Sequence, residues 1–125
     1  MLTAVPGWDL KVERGPGWLF VKIPSPEAHW SENTPLADHI WSLVEQHFTY
    51  RLALELGDID LLNSYLLGQL VVLQRRIREH GGPLRLCGLS PYNKAVLHVH
   101  GLEDRLPTYR DVEEAVMGSG CHKPR

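Results

Sequence analysis

The chain has 125 residues, the length of a single domain, which excludes a multidomain enzyme because a second hydrophobic core would not fit. Hydrophobic residues make up 43% and charged residues 22%, so disordered and fibrous classes are also excluded. Thirteen Lys and Arg against fifteen Asp and Glu give a net charge of −2. We therefore expect no nucleic-acid partner, since domains that bind DNA or RNA are usually basic.

The cysteines and the hydropathy pattern indicate a cytoplasmic location. Cys87 and Cys121 form no CxxC motif, and two cysteines are too few for a disulfide framework or a zinc site. The first twenty residues lack the apolar core of a signal peptide, and nowhere do eighteen apolar residues run together. We expect no membrane span, no metal and no cofactor.

The first half of the chain predicts a hairpin, a helix and a buried strand. Residues 8–23 alternate between apolar and polar side chains on both sides of a Gly-Pro-Gly turn, which predicts a β-hairpin. After an irregular stretch from Pro24 to Asn33, Thr34 is the expected N-cap of a helix with Pro35 at its first position and its end near Gln46. The nearly continuous apolar run over residues 50–56 predicts a central parallel strand.

The second half predicts alternating helices and strands. The predicted elements are a helix over 64–79, a strand over 84–87, a helix from Pro91 to about His100, a strand near 105–107 and a helix over 111–117. This order predicts an α/β domain over residues 1–118, with a mixed, mostly parallel sheet flanked by about four helices, and a flexible tail over 119–125.

Enzymatic signatures are missing from the sequence. It contains no Walker loop and no GxGxxG, GxSxG or HExxH motif, so we expect a protein that is not an enzyme. His98 and His100 are the densest histidine pair, but residues two apart on a helix point in different directions and cannot share one ion. Surface or half-buried histidines are the simpler interpretation.

The most suggestive local feature is an Asn-Ser pair that opens a helix at the carboxyl end of a buried strand. Asn63 is a good N-cap, and a phosphate on Ser64 would lie at the positive end of the helix, where an anion is stabilised. The alternative is that Asn63 is simply a cap and Ser64 a tolerated first-turn residue.

Two further groups of residues allow a structural and a functional interpretation. Arg75, Arg76 and Arg78, with Lys94 further on, form either a basic patch or the solvated face of an amphipathic helix, and Glu79 among them favours the latter. The hairpin aromatics are expected to pack on the core, although one exposed ring would mark a contact surface or a homodimer interface. These aromatics are Trp8, Trp18 and Phe20.

Three segments resemble the STAS domain of anti-sigma factor antagonists and sulfate transporter tails: Arg51–Asp60, Leu61–Gly68 and Leu84–Pro91. The resemblance covers residues 8–117, including the closing helix, Gly-Leu pair, strand and the helix that follows Asp111. It implies a STAS-like fold and a small cytoplasmic switch protein without enzymatic activity. In that family, a partner anti-sigma kinase phosphorylates a serine at the start of the second helix, and the unmodified form binds the anti-sigma factor.

The resemblance implies particular site residues. The family motif reads Asp-Ser-Ser/Thr-Gly, an apolar residue and often a second glycine, and this chain retains the serine and the second glycine. Asn63 can still cap the helix but lacks the carboxylate, while larger side chains follow the serine. Ser64 is thus the phosphorylation candidate. The predicted partner-binding residues are Asp58, Asp60, Asn63, Tyr65, Leu66 and Gly68.

Three interpretations remain open at this point. The first is a partner-binding module switched by phosphorylation, whose partner is an anti-sigma factor or a serine-kinase-type regulator. The second keeps the fold and the partner but has lost the switch, because the motif has changed. The third is a small enzyme or ligand-binding protein with a pocket formed by Asp58, Asp60, Ser64 and His98. A homodimer is compatible with the first.

Overall fold

A computed structural model describes residues 2–5, 8–24 and 35–117. Within these ranges the strands are β1 (Leu2–Val5), β2 (Trp8–Gly15), β3 (Trp18–Lys22), β4 (Leu52–Glu55), β5 (Leu84–Cys87) and β6 (Thr108–Tyr109). The helices are α1 (Leu36–Gln46), α2 (Ser64–Glu79), α3 (Pro91–Val99) and α4 (Val112–Met117). The expected α/β class is confirmed, while the predicted tail over 119–125 lies outside the described residues.

The strands form one mixed sheet in the order β1-β2-β3-β4-β5-β6. The first three are antiparallel, and β3 to β6 are parallel. The predicted hairpin is β2–β3, closed by Pro16 and Gly17. Gly17 has φ +77°, a conformation that glycine adopts without steric cost, and proline before it suits a type II turn.

Several elements differ from the sequence predictions, among them β4, which is Leu52–Glu55 rather than 50–56. β1 was not predicted, because four residues ahead of the hairpin carry too little alternation to identify a strand. β6 lies at Thr108–Tyr109 rather than at 105–107, where Arg105 and Leu106 instead donate backbone hydrogen bonds to the carbonyl of Leu102. α1 begins at Leu36 with Pro35 as its N-cap, one residue later than expected, and Thr34 lies outside the described residues.

The two faces of the sheet are covered unequally. Alternate strand residues such as Leu19, Leu54 and Leu86 belong to the main core, which α1, α2 and α3 cover. Burying a leucine completely contributes roughly 1.5–3 kcal/mol, so this face supplies most of the stability. The intervening residues, including Ala53, face a smaller cluster that the short helix α4 covers through Ala115. The loop that carries the predicted acidic residues follows β4 at the carboxyl ends of the parallel strands and leads into α2.

Candidate functional site

A loop at the carboxyl end of β4 connects that strand to α2 and carries the predicted acidic residues. Asp58 and Asp60 are both exposed, and Asp58 Oδ2 lies 3.7 Å from Lys22 Nζ at the end of β3. This ion pair is solvent-exposed, so it contributes little to stability. At the start of the loop the Gly57 N–H donates a 3.1 Å hydrogen bond to Glu55 Oε1, which fixes the point where the chain leaves the strand.

A buried asparagine on a different helix holds this loop in place. Asn93 in the first turn of α3 is 0% exposed. Its Oδ1 accepts a 3.0 Å hydrogen bond from the Leu62 N–H, and its Nδ2 donates one of 2.9 Å to the Ile59 carbonyl. Ser90, the N-cap of α3, accepts from the Asn93 N–H and thereby orients that residue. The loop that precedes Ser64 is therefore fixed by two buried hydrogen bonds.

The predicted cap and the phosphorylation candidate lie at the start of α2. Asn63 is the N-cap, and its Oδ1 accepts a 2.9 Å hydrogen bond from the Leu66 N–H, as the sequence predicted. Ser64 is the first helical residue and is exposed. A phosphate on its hydroxyl would lie at the positive end of a sixteen-residue helix, where helix dipoles stabilise anions.

An exposed strip runs along α2 from Ser64. Ser64, Gly68 and Val72 follow one another at intervals of four residues, so they lie on one face of the helix. A Cβ atom built on Gly68 would meet no atom of the other described residues within 4 Å, so packing among those residues does not require a glycine there. Val72 is 41% exposed, and Leu61 in the preceding loop is 49% exposed. We call Ser64, Gly68 and Val72 the Gly68 surface.

Two of the predicted partner-binding residues point into the molecule. Leu66 is 4% exposed and belongs to the main core, so its side chain is not presented to a partner in this conformation. Tyr65 is partly buried, and its hydroxyl accepts a 3.4 Å hydrogen bond from the Leu36 N–H at the start of α1. Gln69 Oε1 accepts from the next N–H of α1, that of Ala37, at 2.7 Å. Tyr65 and Gln69 thus cap the neighbouring helix α1.

The enzyme alternative required His98 beside the acidic loop, and the structure places that residue elsewhere. His98 lies near the end of α3, about 10 Å along the helix axis from the first residue of that helix. Its Nδ1 lies 2.8 Å from Glu103 Oε1. Within the described ranges, no group of three or more His, Cys, Asp or Glu side chains could hold a metal ion. His98 in the last turn of α3 is thus paired with Glu103, whereas Asn93 in the first turn of that helix contacts the loop.

Arg76 of the basic group and Trp18 of the hairpin aromatics make structural contacts. Arg76 Nη2 lies 3.3 Å from Asp38 Oδ1, and the guanidinium lies 5.8 Å from the ring centre of Trp41, so Arg76 ties α2 to α1. Arg75, Arg78 and Lys94 are exposed. Trp18 is buried in the smaller core and Phe20 is half-buried, whereas the side chain of Trp8 is not among those described.

Cys87 is not a reactive thiol in this fold. Burial, together with the nearby carboxylates of Glu55 and Asp111, which disfavour a further negative charge, raises its pKa to about 12. Its Sγ donates a 3.6 Å contact to the Leu54 carbonyl. The thiol stays protonated at neutral pH, so it supplies no nucleophile.

The sequence did not identify three residues that shape the site. Asn93 could have been noticed as a polar residue inside an otherwise apolar helix face, but its partners are about thirty residues away in the chain. Leu61 and Val72 read as ordinary members of apolar runs, and only the structure shows that they are exposed.

In the part of the chain that the structure describes, no helix is long and apolar enough to cross a membrane.

Comparison with known proteins agrees with this arrangement. Residues 11–115 match the model of the STAS domain family. No curated protein sequence shows a significant match. Similar solved structures include RsbS from Moorella thermoacetica, with a TM-score of 0.73, 14% identity and coverage of 90% of this chain and 95% of that one.

Two further solved structures are similar. An anti-sigma factor antagonist from Mycobacterium paratuberculosis has a TM-score of 0.71 and 19% identity, covering 89% of this chain and 92% of the other. An anti-sigma factor antagonist (STAS) domain protein from Planctomyces limnophilus has a TM-score of 0.70 and 20% identity, covering 89% and 97%. At these identities the likeness establishes the fold, and the matched family model confirms the resemblance that the sequence motifs indicated.

Proposed function

Because this chain belongs to the STAS family, we propose that it is a regulatory module that binds an anti-sigma factor or a serine-kinase-type regulator through the Gly68 surface. The observation that carries the proposal is an exposed Ser64 at the start of α2 followed, one turn later, by an exposed glycine that packing among the described residues does not require. An uncluttered helix face of this kind allows close approach by a partner. The fold is generally that of a non-enzymatic regulatory module.

The acidic loop supports the second part of the proposal, which is control by phosphorylation of Ser64. A phosphate adds a charge of about −1.5 to −2 at neutral pH. It would do so beside a loop that already exposes Asp58 and Asp60. A partner that approaches this edge meets much stronger negative potential after phosphorylation, so the modification weakens binding of a partner suited to the unmodified surface.

The changed motif supports a competing form of the same proposal. Tyr65 and Leu66, which stand where the family has small residues, are committed to capping α1 and to the core. A kinase that requires small residues after the serine would not accept this segment, and the chain would then bind its partner constitutively. The two forms share the fold and the surface and differ only in the switch.

Affinity capture from the protein's own cells, followed by mass spectrometry of bait and captured proteins, tests the proposal. The baits are the wild type, Ser64→Ala, Ser64→Asp and the matched control Ser42→Asp, which adds the same charge at an exposed position on α1. We expect the wild type to carry phosphate on Ser64 in part, and to capture an anti-sigma factor or serine-kinase-type protein that Ser64→Asp releases.

Each alternative outcome has a distinct meaning. If Ser64→Asp captures the same partner as the wild type and no phosphate is found, the module is constitutive and the switch is wrong. If neither the wild type nor Ser64→Ala captures a regulator of this class, the proposed partner is wrong.

A further inference from the structure

The turn between α1 and β4 carries an aromatic residue at the end of a helix. The Phe48 N–H donates a 3.1 Å hydrogen bond to the Glu45 carbonyl. The Thr49 N–H donates one of 3.2 Å to the Val44 carbonyl. This pair of hydrogen bonds is the Schellman motif, in which the residue after the C-cap adopts the left-handed conformation. Phe48 occupies that position with φ +51°, where glycine is the usual residue.

Phe48 is unfavourable in the isolated domain for two reasons. The left-handed conformation strains any residue with a side chain, because Cβ approaches the following carbonyl oxygen. The ring is also 84% exposed, the highest value among the large hydrophobic side chains that the structure describes. Because so little of the ring is buried, packing among the described residues offsets neither effect. Backbone strain of this kind concentrates at functional positions, so Phe48 indicates a contact outside this chain.

The charges on either side of Phe48 indicate what makes that contact. Glu45 lies three residues before the ring, in the last turn of α1. Arg51 lies three residues after it, immediately before β4. Both side chains are exposed. The apolar centre of this segment therefore has a negative group on one side along the chain and a positive group on the other.

A second copy of this chain complements that arrangement. A two-fold axis through the Phe48 contact reverses the direction of the segment, so Glu45 faces Arg51 of the second copy and Arg51 faces its Glu45. The two rings meet at the centre, where aromatic pairs are favourable in offset or edge-to-face geometry. Two segments that ran in the same direction would place like charges opposite each other, so the charges favour the two-fold arrangement.

We propose that the segment from Glu45 to Arg51 is a surface through which two copies of this chain form a two-fold dimer. Because one ring per copy lies at its centre, the dimer belongs to the small, transient class of interfaces. The segment precedes the amino end of β4, whereas Ser64 follows the carboxyl end of that strand, so the dimer leaves Ser64 accessible. The claim does not depend on the proposed function.

Sedimentation equilibrium of the purified protein, from micromolar to millimolar concentrations, tests the proposal. We expect a reversible equilibrium between monomer and dimer for the wild type. Phe48→Gly removes the ring and suits the left-handed backbone, so circular dichroism should show a folded protein. Its dissociation constant should rise at least about tenfold, the effect of losing an aromatic anchor. The matched control is Tyr92→Ala, which removes an exposed ring at the start of α3 and should leave the dissociation constant unchanged.

Charge reversals test the two-fold arrangement. Glu45→Arg and Arg51→Glu should each raise the dissociation constant roughly two- to fivefold, because each places like charges opposite each other in the dimer. The double variant, Glu45→Arg with Arg51→Glu, restores both pairs of opposite charges. Its dissociation constant should therefore return to nearly the wild-type value.

A wild type that stays monomeric over this concentration range overturns the proposal. A folded Phe48→Gly protein that dimerises as strongly as the wild type does so as well. If the double variant dimerises no better than the two single variants, the two-fold pairing of Glu45 with Arg51 is wrong.

Discussion

Replacing Asn93 by alanine should destabilise the protein more than any other polar substitution near the site. The change removes the partners of the Leu62 N–H and the Ile59 carbonyl, which are bonded to Asn93 at 3.0 and 2.9 Å. A buried donor or acceptor left without a partner costs about 1–3 kcal/mol. With two such groups, we therefore expect Asn93→Ala to lower the free energy of unfolding by roughly 2–6 kcal/mol, a large part of the ~5–15 kcal/mol typical of a domain.

Urea unfolding followed by circular dichroism measures this cost. With a slope of about 2 kcal/mol per molar urea, the middle of the range for small proteins, a loss of this size moves the midpoint by roughly 1–3 M. Asn93→Leu, which refills most of the volume but restores neither hydrogen bond, should be similarly unstable. The control is Asn63→Ala, the loss of a partly exposed N-cap, at about 1 kcal/mol. If Asn93→Ala is no more damaging than Asn63→Ala, the buried asparagine does not hold the loop.

Three other predictions follow from single residues. Arg85 donates a 2.6 Å hydrogen bond to the Ala115 carbonyl and so anchors α4 to the sheet. Arg85→Met should therefore lower the free energy of unfolding in urea by about 1.5–3 kcal/mol, and a loss below about 0.5 kcal/mol would contradict this anchoring role. Phe48 has φ +51°, a left-handed conformation that glycine adopts without steric cost, and its side chain is 84% exposed. Phe48→Gly should therefore raise the free energy of unfolding by about 1 kcal/mol, and a decrease would show that the ring makes stabilising contacts. In a Cys121→Ser background, Cys87 should resist a disulfide reagent at pH 8 until urea unfolds the protein. The folded pKa of Cys87, about 12, exceeds the ordinary 9.0, so between these pH values the unfolded chain loses the thiol proton while the folded chain keeps it. The free energy of unfolding should therefore fall as pH rises through this range, and a free energy that does not change with pH would contradict the raised pKa.

The sequence predicted best those elements whose signals are local. The boundaries of α2 and α3 follow from side chains that cap their own helix within three residues, Asn63 and Ser90, so they could be identified without the rest of the chain. The two-residue strand β6 carries no periodicity and exists only because β5 lies beside it. Its position therefore could not be predicted from spacing.

The site was predicted only in part, because its support is tertiary. The exposure of Ser64 and Gly68 agrees with the family motif, whereas the inward direction of Tyr65 depends on the N-terminus of α1, twenty-nine residues away. The role of Asn93 depends on backbone groups of another segment. Sequence patterns describe one element at a time and do not show which backbone groups another element leaves unpaired.

The central claim is that a partner binds the Gly68 surface, and Gly68→Arg tests it most directly. The position is open and helical, and arginine has the higher helix propensity by about 1 kcal/mol, so this variant should be at least as stable as the wild type. Val99→Arg, at the exposed end of α3, is the control. In affinity capture from the protein's own cells, we predict that Gly68→Arg loses the regulator that the wild type and Val99→Arg retain. Retention of that regulator by a folded Gly68→Arg protein would contradict the account.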